Sequence, residues 1–160
     1  MLSEDVKKEL KELLKDCRGC SLPSGVTYGD RELEIVRVGG IEAIRAVFMG
    51  EDTESKASLL LALDWFMDPY YKNREDIEPF HDELVELLQE VIFSVEDEHV
   101  AEEAWHLLNG YEWPPFEIIE SRLDQLPPSL SWWVPRELEE LKKLQVENRQ
   151  NKLSNRNNGR

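Results

Sequence analysis

The sequence predicts an all-α, single-domain protein built of stacked antiparallel helical hairpins. Three observations carry this. Apolar residues recur at three- and four-residue spacing through most of the 160 residues. Capping residues, prolines and Gly-containing turns fall between those runs at helix-length intervals. Two neighbouring helix pairs also match one another at an offset of 44 residues.

The elements follow in order. Leu2, Val6, Leu10, Leu13 and Leu14 form one helical stripe, with Ser3 placed to cap it and Gly19 to stop it. The Gly-, Ser- and Pro-rich CSLPSGVTYGD is a loop. In ELEIVRVGG the alternation of Leu33, Ile35 and Arg37 with Glu34, Val36 and Val38 fits a short strand over 33–38, and the same residues would also open a helix. From Gly40 the pattern is helical. Ile41, Ile44, Val47 and Phe48 share one face, and Gly50-Glu51-Asp52 turns the chain. Thr53 then caps a helix carrying Ala57, Leu60, Leu61 and Phe66, which Pro69 ends. Glu78-Pro79 opens a helix with Leu84, Val85, Leu88, Val91 and Ile92. Asp97 caps the next, with Ala101, Ala104, Trp105 and Leu108, closed by Asn109-Gly110. Pro114-Pro115 starts a further helix with Phe116, Ile119 and Leu123, bounded by Pro127-Pro128. Pro135 starts the last, from Arg136 to about Val146, so the domain spans 1–146. The remaining 147–160, rich in Asn and Arg, is expected to be a disordered polar, basic tail.

In the two central hairpins Ile41 matches Val85, Ile44 matches Leu88, Val47 matches Val91 and Phe48 matches Ile92. Thr53 pairs with Asp97, Ala57 with Ala101 and Leu61 with Trp105. A helix pair repeating at roughly 40–47 residues is the period of HEAT and armadillo arrays, in which each hairpin must stack on neighbours to cover its apolar face.

The charge is lopsided. Residues 51–120 hold 20 Asp and Glu against Lys56, Lys72 and Arg74, a net of −17, whereas the whole chain carries −15. Such a surface attracts a basic protein and repels nucleic acid and anionic membrane. A charge of that density also costs stability through self-repulsion, which argues for a selected interaction over simple solvation. No apolar run approaches the roughly 20 residues that cross a bilayer, and the N-terminal stretch has no apolar signal core, so the chain is expected to be cytoplasmic. Cys17 ends a predicted helix instead of beginning one, and the C-x-x-C with Cys20 has no second ligand pair. Both read as ordinary reduced thiols.

Candidate binding residues are the carboxylates Asp64, Asp68, Glu98, Glu102, Glu103 and Glu112, with Tyr71, Tyr111 and Trp113 as aromatic anchors beside them. Asp64 sits in LLLALDWFM among apolar neighbours, so it is expected to face a groove or to pair with Arg45 or Arg37. Trp105 and Phe66 are expected in the core, and Trp132-Trp133 precede the last helix. The motifs of phosphate-binding loops, zinc proteases and serine hydrolases are missing, and no cofactor is expected. E-x-x-H occurs twice, at Glu78–His81 and Glu103–His106, the half-motif of di-metal carboxylate bundles. The proline after Glu78 and the core position of Trp105 oppose a metal site, and the chain is expected not to be an enzyme.

Over about 40–126, the segments IEAIRAVF–TESKASLLLAL and LVELLQEVI–DEHVAEEAWHLL, together with the acidic charge, resemble the HEAT-like immunity proteins of bacterial polymorphic and contact-dependent toxin systems. The resemblance implies a monomeric inhibitor that binds a cognate basic toxin domain, such as a nuclease, one to one. The competing expectation is a helical-repeat adaptor for a basic peptide or protein.

Overall fold

The structure, a computed structural model, describes residues 30–71, 74–94 and 96–158; side chains are described for 32–70, 74–94 and 96–153. The N-terminal stripe with Ser3 and Gly19, and the Cys17–Cys20 pair, lie outside the described residues. Everything described is helix, 3-10 turn or connecting segment. Helix α1 (Asp30–Glu34) runs into a π-helical turn, Ile35–Gly39. There follow α2 (Gly40–Met49), α3 (Thr53–Met67), α4 (His81–Ser94), α5 (Glu98–Tyr111), α6 (Glu117–Ser121), α7 (Pro128–Ser131) and α8 (Val134–Asn158). Short 3-10 turns, Pro69–Tyr71, Arg74–Asp76 and Glu78–Phe80, link α3 to α4.

The strand considered at 33–38 is helix. Glu32, Ile35, Val36 and Gly39 are buried, a spacing of three, four and seven from the first. A strand would send the adjacent Ile35 and Val36 to opposite faces, whereas a helix buries both on one broad face. The β-branched composition and the alternation of Leu33, Ile35 and Arg37 with Glu34, Val36 and Val38 imitate a strand only in sequence. Gly40, at φ +61°, turns the chain from the π-turn into α2, a left-handed conformation that a side chain would strain.

Helix α4 packs against α5, α2 and α6, and α5 also packs against α3, α7 and α8. Arg45 Nη1 approaches Glu90 Oε2 at 3.7 Å across α2 and α4, and Tyr111 Oη donates to Asp64 Oδ1 at 2.6 Å across the C-terminal ends of α3 and α5. The core runs between these helices. Trp105, Phe66 and Phe116 are its largest sealed side chains, with Leu63, Leu88 and Met67 among those packed around them.

The internal match holds at 44 residues in the first helices, where Ile44, Leu88, Val47, Val91, Phe48 and Ile92 are all buried. It slips to 45 in the second. The side chain capping α3 is Asp52, not Thr53: its carboxylate accepts from the Glu54 N–H at 3.2 Å and the Ser55 hydroxyl at 2.7 Å. Asp52 therefore corresponds to Asp97, Leu60 to Trp105 and Leu63 to Leu108, all four of these apolar residues being buried. Leu61, the expected counterpart of Trp105, is 50% exposed.

Asp97 Oδ1 accepts from the His99 N–H at 2.8 Å and the Val100 N–H at 3.4 Å. Asp97→Ala is expected to lower stability by about 1 kcal/mol, and Asp97→Ser to recover most of the loss, as read from denaturant midpoints. An alanine variant with wild-type stability would remove the cap from the account of α5.

Three helix ends differ from expectation. Helix α6 stops at Ser121, short of Leu123, which lies in a 3-10 turn and is 36% exposed. Asn109 and Gly110 lie inside α5, which runs on to Tyr111. The last helix does not stop near Val146 but continues to Asn158, including most of the polar segment expected to be unstructured. Val134, Leu138 and Leu141 anchor its first turns in the core, and Gln145 Nε2 donates to the Pro114 carbonyl at 2.9 Å. Beyond them 146–153 are exposed. With no Gly or Pro before Gly159, nothing local interrupts propagation from that anchored nucleus, and Arg149 and Lys152 suit the negative end of the helix dipole.

Candidate partner-binding surface

Thirteen of the 20 carboxylate residues in 51–120 are exposed, and none falls in the buried class, so the segment's charge is presented to solvent. The helical register explains this. Leu84, Leu87, Leu88, Val91 and Ile92 turn inward on α4, which leaves Asp82, Glu83, Glu86 and Glu90 outward. On α5 the buried Val100, Ala101, Ala104, Trp105, Leu107 and Leu108 leave Glu98 and His106 exposed and Glu102 and Glu103 half-buried.

The predicted binding residues divide between two places. Asp64, Asp68, Tyr111, Glu112 and Trp113 gather where α3 and α5 end. Asp64 is exposed and takes neither Arg45 nor Arg37; its partner is the Tyr111 hydroxyl. Arg37 instead pairs with Asp76 at 3.2 Å, its guanidinium 5.7 Å from the Trp65 ring centre. Asp68 accepts from the Tyr70 N–H at 2.9 Å. Trp113 is 46% exposed. Tyr71 ends the 3-10 turn here, its side chain outside the described residues. Glu98 lies at the opposite end of α5, about 20 Å away by helical rise, with Glu102 and Glu103 between.

Glu112 is not the exposed carboxylate expected. Its side chain is 10% exposed, and Oε1 lies 3.0 Å from Arg74 Nη2 and 2.8 Å from His81 Nε2. On the other side of the ring, His81 Nδ1 lies 3.3 Å from Asp82 Oδ1. This trio ties the 3-10 turns and the start of α4 to the end of α5. Beside it opens a cleft of about 740 Å³, walled by Pro69, Pro79 and Phe80 and lined by Glu75, Glu78, Asp82 and Glu83. The one described guanidinium in the cleft, Arg74, is therefore engaged with Glu112.

The E-x-x-H histidines have other engagements: His81 faces Glu112 and Asp82, and His106 meets the edge of Trp133, ring centres 5.0 Å apart. Among the described residues no group of three or more His, Cys, Asp or Glu is arranged to hold a metal ion.

Some contacts carry no signal that residue types alone would give. The Glu137 carboxylate accepts from Trp105 Nε1–H at 2.6 Å, from Asn109 Nδ2–H at 2.7 Å and from Trp133 Nε1–H, so one indole and one amide fix α8 to α5 while a second indole, just before α8, braces the same carboxylate. Their partners lie 32 and 28 residues away in sequence, which no local spacing rule reaches. Only the Trp133–Glu137 pair, four residues apart, stands at helical spacing.

Comparison with protein-family models, curated proteins and solved structures finds no match. Among the described residues no helix is long and apolar enough to cross a membrane.

Proposed function

We propose that this chain is a protein-binding module whose acidic helices dock a basic partner, and that its role is to inhibit a cognate toxin domain by covering it. The observation that carries this reading is the exposure of the charge: −17 over 70 residues, most of it on solvent-facing turns of α3 to α5 and the cleft between them. Buried or internally neutralised carboxylates would have argued for a structural network. The hairpin register at 44 and 45 residues supports a HEAT-like stack as the scaffold, and such a stack presents successive helices side by side on one face. A nuclease-type toxin exposes Lys and Arg where it holds phosphates, so an acidic helical face can occupy that site in place of the substrate. Complementary charge raises the encounter rate toward about 10⁸–10⁹ M⁻¹s⁻¹ at low salt and sets orientation.

The test takes as ligand a basic domain encoded beside this chain's gene, with association followed at two salt concentrations; a gene neighbourhood that encodes none would count against the inhibitor role. Reversing Glu102 and Glu103 to Lys is expected to slow association about tenfold at low salt and to flatten the salt slope. The melting temperature should hold or rise, because self-repulsion falls. Association that ignores both salt and the Lys pair would make the acidic stretch a solvated face and leave the adaptor reading in its place.

A further inference from the structure

Trp132 closes α7 and is 64% exposed, and Trp is the side chain that forfeits most by standing in water. Its ring is held in place. It stacks on Trp133 with centres 6.5 Å apart and planes 26° from parallel. Trp133 in turn donates its indole N–H to Glu137 and receives the His106 ring against it. Glu137 is fixed by Trp105 and Asn109 on α5, so the outer indole rests on an inner one that is locked to the core. Glu102 and Glu103 lie four and three residues before His106, on the same side of α5 and one turn away.

Elsewhere the chain covers aromatic faces with its own guanidinium groups: Arg37 lies over Trp65 and Phe66, and Arg122 lies 4.3 Å from the Phe93 ring centre. Among the described residues none covers Trp132. Arg136, exposed on the first turn of α8, makes no such contact with it. An open indole face thus stacks on the ring that meets His106, and the half-buried Glu102 and Glu103 lie one helical turn from that histidine.

We propose that Trp132, backed by Trp133, is the docking point for an arginine side chain of the basic partner, with Glu102 and Glu103, one turn along α5 from His106, as the nearby negative charge that draws it in. The inference rests on the acidic docking reading above. It moves the anchor from Tyr111 and Trp113, at the C-terminal end of α5, to the junction of α5 with α7 and α8. Arginine is favoured over lysine because a planar guanidinium stacks on an indole while its edge N–H groups stay free for carboxylates. An ammonium offers a point charge with a tight water shell.

The experiment titrates the protein with nona-arginine and with nona-lysine, following the indole N–H signals of its five tryptophans by two-dimensional NMR. Trp132→Phe assigns the Trp132 signal. Nona-arginine is expected to move Trp132 most and Trp113 little, and to bind about threefold more tightly than nona-lysine. Trp132→Ala should erase that preference while leaving nona-lysine binding intact; its exposure makes the substitution compatible with folding, which the same spectra report. The double change Glu102→Gln with Glu103→Gln should weaken both peptides more than Glu51→Gln with Glu54→Gln, which removes equal charge at the start of α3. Equal shifts at all indoles, an arginine preference that survives Trp132→Ala, or equal losses in the two glutamine pairs would overturn this docking point while the acidic surface stood. Failure of both peptides to bind at low salt would overturn the acidic surface itself.

Discussion

Replacing Trp105 by alanine is expected to cost about 3–5 kcal/mol, among the largest losses for a described side chain. The indole is fully buried, meets Phe116 edge-on at 5.9 Å between ring centres, and donates to Glu137 at 2.6 Å. Truncation opens a cavity under α8 and removes one of three donors from Glu137. Asn109 and Trp133 remain to hold the carboxylate, so the cavity dominates. Set against a total stability of about 5–15 kcal/mol for a typical domain, the alanine variant would sit close to unfolding at ordinary temperature. Trp105→Phe separates the terms. It keeps most of the apolar bulk and loses the N–H, for an expected loss of about 1–2 kcal/mol. Urea unfolding of both variants is the measurement. A loss below about 1 kcal/mol for alanine would mean that α5 and α8 do not share a packed core.

The parts of the fold that were legible in the sequence are those where burial follows the period of a single helix. Ile44, Val47 and Phe48, and again Leu88, Val91 and Ile92, declare their inward face without knowledge of what covers them. Asp97 declares its helix start because the partners of a cap lie two and three residues ahead. Asp52 was obscured by Thr53, another capping type one position on, and that single step shifted the second-helix match from 45 to 44 and put Leu61 in the core. At 33–38 the strand and helix patterns compete over a few residues, and the burial of adjacent Ile35 and Val36 decides between them only once the core is known. The candidate surface shows the same divide. That residues 51–120 would present negative charge follows from the impossibility of hiding 20 carboxylates with three bases. Which carboxylates stay available does not follow. Glu112 looked like Glu98 in sequence, yet Arg74 and His81, from 38 and 31 residues upstream, enclose it. Trp132 and Trp133 are adjacent and identical in type, and only tertiary contacts make one an anchor and the other its support.

Gln89→Leu is expected to cost about 2–4 kcal/mol, because it removes the acceptor on which α6 depends. Gln89 is 3% exposed in the middle of α4, and its Oε1 accepts from the N–H groups of Ile118 and Ile119 at 3.0 and 3.3 Å. These are first-turn donors of α6, which an N-cap side chain would ordinarily satisfy, but Phe116 at the N-cap has none to offer. Glu120 Oε2 reaches back to the Phe116 N–H at 2.8 Å, so the second and third helical positions are left to Gln89. Leucine has nearly the same volume, so packing against α6 survives and the loss isolates the two orphaned donors. Gln89→Glu keeps an acceptor and places negative charge at a helix N-terminus, where it is favoured, at the cost of burying that charge. It should therefore fall between wild type and Gln89→Leu. Amide hydrogen exchange gives the local reading: in the leucine variant Ile119 should lose protection before Leu88 or Leu108 does, since five residues of helix do not persist without their cap. Unchanged protection at Ile119, with unchanged stability, would show that Glu120 alone sustains α6. The position of Glu117 and Glu120 at the edge of the acidic surface would then owe nothing to α4.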